Sequence, residues 1–275
     1  MKKIGLALGA GGARGLAHIL MLEVFEELGI MPHIISGSSI GAIIGASFAS
    51  GTCTKEIKEV VNDLIYHKNS KFWELHKKTD YTKMLNFFDF GLKHGGIIKG
   101  VKFQKVLRKE IKANTFKELK IPLKIITTDY WSHEQVVVDK GDLQKAVIAS
   151  FSLPGLFPPI ECNGKLLIDG GMSNPLPYDV LPNDCDITIA IDISAKKNKI
   201  ENGTPPPYDV LFSAFQIMQN SIVIEKLKRA KPDILINTEI QGIRIHEFMK
   251  SKTIYEKSKS SKDKLKFFLE QHLES

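Results

Sequence analysis

Cysteine is scarce in this chain of 275 residues, with only Cys53, Cys162 and Cys185 present. None belongs to a Cys-x-x-Cys pair, and so odd and scattered a set argues against a disulfide framework and against a cysteine zinc site. Long hydrophobic runs are also missing. No stretch approaches the roughly 20 consecutive apolar residues that cross a bilayer as a helix. The apolar run behind Met1-Lys2-Lys3 is broken at Gly9, Gly11, Gly12, Arg14 and Gly15, which suits a strand and turn better than a secretion signal. The expected location is therefore cytoplasmic, with room for peripheral contact at the inner face of the membrane. Internal repeats and low-complexity tracts are absent as well. Hydrophobic content of 43% and charged content of 25% describe a globular chain with a full core, read as one domain over 1–275.

The net charge of +7 is unevenly spread. Residues 55–120 hold 16 Lys and Arg against 8 Asp and Glu, and residues 224–275 hold 12 against 8. Between them, residues 121–223 hold 7 against 12. This asymmetry suits an anionic partner such as a membrane surface, or simply a solvated lysine-rich face. Within 66–100, lysines alternate with Phe72, Trp73, Tyr81, Phe87, Phe88 and Phe90. That segment is a candidate cap for anionic lipid headgroups; the plainer alternative is a core helix pair with a basic exterior. No nucleic-acid-binding module accompanies the charge, so nucleic acid is not an expected partner. Assembly into a homo-oligomer stays open.

The pattern along the chain is that of an α/β protein. Ile4 to Leu8 reads as a buried parallel strand, a glycine-rich turn follows, and Leu16 to Leu28 reads as a helix stopped by Gly29 and Pro32. A second strand at 33–36, a second glycine turn and a second helix ending near Gly51 repeat the unit. Further strands are expected at 123–128, 135–138, 166–168 and 187–193. A long helix is expected over about 209–230, with Leu211, Phe212, Phe215, Met218, Ile222 and Leu227 as its core stripe. A surface helix is expected from about Lys250.

The strongest local signal is Gly37-Ser38-Ser39-Ile40-Gly41, a G-x-S-x-G between a strand and a helix. Such a turn strains its middle residue and exposes the serine hydroxyl at its tip. About 0.1 matches are expected by chance in a chain of this composition; an ordinary βα turn is the plainer alternative. A serine nucleophile needs a base and a set of preorganised donors for the oxyanion. The turn Gly9 to Gly15 could supply the donors, because the amides of Gly11, Gly12 and Ala13 lie where a helix begins. The same turn, Gly9-x-Gly11-x-x-x-Gly15, also resembles a variant dinucleotide fingerprint, and Tyr255-x-x-x-Lys259 would suit an NAD(P)-dependent reductase. No acid closes the second strand near position 36, as ribose recognition would require. For the base, neither His246 nor His272 sits in a glycine- or strand-flanked loop, and both read as surface histidines. Asp169 ends a short apolar strand before Gly170-Gly171, where burial would raise its pKa and fit it to accept a proton. A turn aspartate bonded to its own backbone is the alternative.

Taken in order, Gly11-Gly12-Ala13-Arg14-Gly15, Gly37-Ser38-Ser39-Ile40-Gly41 and Asp169-Gly170-Gly171 resemble the motifs of the patatin-like phospholipase family. Ala149 to Pro159 is similar to the family's segment leading to the acid, although Phe151 is bulkier than the small residue expected there and would narrow the pocket. The resemblance covers about 4–195 and is nearest to the short, single-domain bacterial members. It implies a three-layer α/β/α sandwich with a mostly parallel central sheet, followed by a C-terminal helical extension over 196–275. It also implies a Ser39–Asp169 dyad without histidine, an oxyanion hole at Gly11 and Gly12 with help from Ala13, and no metal or other cofactor. The substrate would be a phospholipid, lysophospholipid or related acyl ester, cleaved through an acyl-enzyme. Arg14 would meet a lipid phosphate or brace its loop. A non-catalytic lipid-binding regulatory protein on the same fold remains the third alternative.

Overall fold

A computed structural model describes residues 2–63, 107–108, 110–195, 205 and 207–273. The candidate cap at 66–100 lies outside the described residues. Eight strands form one mixed sheet: β1 (Ile4–Leu8), β2 (Ile34–Ser38), β3 (Leu123–Asp129), β4 (Gln135–Val138), β5 (Ile160–Cys162), β6 (Lys165–Asp169), β7 (Ile187–Asp192) and β8 (Ile234–Asn237). The strands β3, β2, β1, β7 and β8 run parallel in that order, while β4, β5 and β6 join antiparallel at the β3 end. Among the described residues the α-helices are α1 (Ala17–Glu27), α2 (Ile40–Ala49), α3 (Thr54–Asn62), α4 (Leu143–Ser150), α5 (Pro207–Arg229) and α6 (Ser251–Leu273).

The uninterrupted apolar sequence of β1 and the mainly apolar one of β7 have a direct cause, since a parallel strand in the middle of a sheet is covered on both faces. Successive side chains alternate between those faces. Leu6, Leu8, Ile35, Ile189 and Ile191 enter the larger core, which also takes in α1, α2 and part of α6. Ala7, Ile34 and Ala190 face a smaller core with Leu176, Tyr178, Leu181 and Val223 of α5. The alanines suit that second face, where chain passes close to the sheet. On the outside of the first layer, Lys262 bridges Glu23 and Glu27 at 2.8 and 2.6 Å, Lys266 reaches Glu27 at 2.9 Å, and Lys58 pairs with Glu23. These half-exposed pairs tie α3 and α6 to α1.

Two expectations are corrected by this arrangement. Residues 196–275 are not a helical extension, because β8 completes the parallel sheet by pairing with β7. The short β8 alternates buried and exposed, too brief a pattern to stand out in sequence. Leu211 and Met218 of α5 are not core residues; they are 48% and 51% exposed. The acid strand β6 is antiparallel to β3. No helix among the described residues is long and apolar enough to cross a membrane.

Candidate active site

Ser39 closes the turn between β2 and α2 with φ 54° and ψ −120°, a conformation that costs a non-glycine residue on the order of 1–3 kcal/mol. Close packing enforces it. A Cβ on Gly41 would stand 2.2 Å from the carbonyl oxygen of Leu8, so only glycine lets the start of α2 rest against the end of β1. The hydroxyl of Ser39 donates to Asp169 Oδ2 at 2.6 Å, and the amide of Gly171 donates to Asp169 Oδ1 at 2.7 Å. Asp169 is 2% exposed. Burial pushes its carboxyl up to about 7, against the two hydrogen bonds that favour the charged form.

The stretch that precedes the acid has a clear mechanical role. Ser150, at the end of α4, accepts the amide of Ser39 through its hydroxyl at 2.9 Å. Two residues on, the carbonyl of Ser152 accepts the amide of Asp169 at 3.0 Å. One short segment thus holds both residues of the pair by their backbones. Phe151 between them lines the cleft and tilts against Phe157, ring centroids 5.5 Å apart.

The glycine-rich turn lies across the cleft from the pair, and Gly11 and Gly12 line it together with Ser39 and Asp169. Gly12 has φ +60°, and a Cβ there would meet the Ile245 carbonyl oxygen at 2.3 Å. Among the described residues no acceptor engages the amides of Gly11 and Gly12. Ala13 differs: its amide already donates to Ile245 O at 2.7 Å, which removes it from the expected set of oxyanion donors. Arg14 requires a correction too. It is 3% exposed, and its guanidinium donates to the carbonyls of Ile193 at 2.9 Å and Ile243 at 3.2 Å. Burial lowers it to about 10, opposed by the charge of Asp192. A side chain so engaged braces the loop and does not reach a lipid phosphate. His18 does similar work beneath the turn: it is fully buried, held at about 4 by burial, and donates Nε2–H to Gly9 O at 2.8 Å.

Other site residues come from parts of the chain that sequence reasoning left without a role. The cleft wall includes Phe212, Phe215, Gln216 and Gln219 of α5, and Ile245, His246 and Phe248 beyond β8. His246, expected at the surface, is half-buried in that wall. The amide of Gln219 sits where a Cβ on Gly171 would lie 2.4 Å from its Nε2, so Gly171 leaves the room that admits it. A glutamine beside a glycine on distant segments carries no sequence signal. The reductase constellation does not form: Lys259 pairs with Glu256 at 2.7 Å on α6, and Lys58 lies over the Tyr255 ring.

Comparison with known proteins follows the same residues. An NTE family protein of Mycobacterium tuberculosis is 30% identical over 196 residues, 71% of this chain and 50% of that protein. Neuropathy target esterase sws of Drosophila melanogaster is 34% identical over 200 residues, 70% of this chain and 13% of that protein. Lysophospholipase NTE1 of Candida glabrata is 30% identical over 218 residues, 79% and 12%. The chain thus spans about half the length of the mycobacterial relative and a smaller share of the other two. VipD from Legionella pneumophila superposes over 96% of this chain and 67% of that one, with TM-score 0.49 and 16% identity. A model of patatin-like phospholipases matches residues 6–182. That span takes in the glycine turn, the strained serine and the buried acid, and the chain belongs to the patatin-like phospholipase family.

Proposed function

We propose that the protein hydrolyses acyl esters of lipids, with Ser39 as nucleophile, Asp169 as base and the amides of Gly11 and Gly12 as oxyanion donors. The observation that carries this reading is the 2.6 Å hydrogen bond from Ser39 Oγ to a buried carboxylate at the floor of an aromatic cleft. In the first half-reaction the Ser39 proton passes to Asp169 Oδ2 as Oγ bonds to the acyl carbonyl carbon. The oxyanion is met by the Gly11 and Gly12 amides. Collapse breaks the ester C–O bond, and Asp169 returns the proton to the departing alcohol. Water then gives a proton to Asp169 and attacks the acyl-enzyme. The second collapse frees the fatty acid and restores the Ser39 hydroxyl. No histidine is needed, because a carboxyl near 7 is matched to proton transfer at neutral pH.

The cleft supports an acyl chain as the group recognised, being walled by Phe151, Phe157, Phe212, Phe215 and Phe248. Its free volume is about 50 Å³. Relatives named as lysophospholipase and esterase favour a phospholipid or lysophospholipid ester over a peptide. Labelling with a fluorophosphonate probe tests the nucleophile. Parent protein is expected to label and to turn over p-nitrophenyl esters; Ser39→Ala loses both, and Asp169→Asn loses turnover. A folded parent that neither labels nor turns over ester would leave a non-catalytic lipid-binding protein as the better reading.

A further inference from the structure

Helix α5 is apolar on both sides. Phe212, Phe215 and Val223 point inward, to the cleft wall and the second core. About 180° away, at 100° per residue, Val210, Leu211, Ile217, Met218 and Ile224 stand between 48% and 65% exposed. Ala214 and Ser221 fill the same outer stripe. Residues 210–224 contain no charged side chain, in a chain with 25% charge. A surface helix ordinarily turns charge outward, and a helix apolar all round is ordinarily buried; α5 does neither. Charge returns only at its end, where exposed Glu225 pairs with Lys228 at 2.6 Å and Arg229 and Lys231 are exposed.

We propose that the outer stripe of α5 docks the protein on a phospholipid bilayer, the helix lying in the interface with its apolar side chains among the acyl chains. Arg229 and Lys231 then sit among headgroup phosphates. Position on the molecule selects this occupant. The inner face of the same helix walls the cleft over Ser39, so docking the outer face brings the cleft to the layer that holds the substrate. Apolar side chains turned outward ahead of a cationic end offer contacts to acyl chains and anionic headgroups together, and exposed contiguous apolar surface marks an interaction site. The choice of a bilayer rests on the ester-hydrolase reading, but docking is a binding event and is measured without turnover.

The experiment is sedimentation of the full chain, carrying Ser39→Ala, with vesicles of phosphatidylcholine alone and of phosphatidylcholine mixed with phosphatidylglycerol. The protein is expected to sediment with both. Ile217→Asp with Ile224→Asp should weaken partitioning by roughly tenfold or more on either vesicle. Arg229→Gln with Lys231→Gln should weaken it severalfold on the anionic vesicles alone. Phe267→Ser, removing a 66% exposed aromatic ring on α6, should leave it unchanged, and matched melting temperatures show that the variants fold. Equal partitioning of the Ile217/Ile224 variant and its parent overturns the proposal, as does absence of binding by the parent. A lipid-free dimer that Ile217→Asp dissolves also overturns it, by assigning the stripe to a second copy. Docking without ester turnover by the Ser39 form would keep this inference and remove the hydrolase reading.

Discussion

Ser38 and Asp169 pair with consecutive residues of one strand: Ser38 with Ile126, and Asp169 with Thr127. Ile125 and Ile126 also pair with β4, as do Thr127 and Thr128. β4 therefore occupies one edge of β3, while β2 and β6 share the other, meeting head to head. A rise of about 3.3 Å per residue then sets the elbow serine and the carboxylate side by side without a flexible linker. The ladder that builds the sheet also builds the pair, and Thr128 Oγ1 adds a 2.9 Å bond to the carbonyl of Asp169.

Activity should follow the ionisation of this carboxyl. The base must be charged to accept the serine proton, and burial holds Asp169 at about 7. Turnover of a soluble ester, followed as kcat/KM, should fall about tenfold per pH unit below that value and level off above it. Asp169→Asn should lower it by 10³-fold or more, on the order found when one member of a catalytic unit is removed. A rate independent of pH from about 5 to 8 would argue against Asp169 as the base.

Much of this could be read from residue order, for reasons specific to each element. β1 is a fully buried parallel strand and β7 nearly so, and their apolar residues announce them. Ser39 and Asp169 announce themselves because strain and close approach demand glycines at fixed offsets. The roles of Arg14 and Ala13 are not legible in residue order because their partners, Ile193, Ile243 and Ile245, lie far along the chain in irregular segments. The two faces of α5 look alike in sequence, and only the fold distinguishes wall from surface.

Stability should move opposite to activity. Asp169 titrates near 7 when folded against an ordinary 3.8, so between those values the folded protein holds a proton that the unfolded chain has released. Stability from this group is whole below about pH 4 and is lost as pH rises to about 7, a cost of roughly 4 kcal/mol at full ionisation. Asp169→Asn removes the charge, so in urea unfolding it should exceed the parent by up to about that amount at pH 8. The two should converge toward pH 4. His18, held at about 4 against 6.5, acts in the other sense and loses stability as pH falls through that range. With Asn at 169 that acid lability should stand uncompensated. A difference that does not change with pH would refute the account.

The backbone strain at Ser39 can be isolated by comparing two substitutions that both remove the hydroxyl. Ser39→Ala keeps a Cβ at φ 54°, and Ser39→Gly does not. Ser39→Gly should therefore be the more stable by about 1 kcal/mol, although glycine is usually the less stable residue beside a helix. Thermal or urea unfolding decides this, and equal stability would mean that the turn is relaxed.

Arg14 separates bracing from substrate binding. Its two carbonyl partners lie in a buried fork that a lysine ammonium cannot reproduce. Arg14→Lys should cost about 2 kcal/mol of stability, the scale of a charged hydrogen bond lost in the interior. It should also lower kcat as the Gly11–Gly12 turn loses its support. The discriminating measurement is the ratio of kcat/KM for a lysophospholipid to that for a monoacylglycerol of the same chain. A guanidinium that met the phosphate would raise this ratio in the parent, and Arg14→Lys would lower it about tenfold or more. With the guanidinium committed to Ile193 and Ile243, the ratio should stay fixed while both rates fall together.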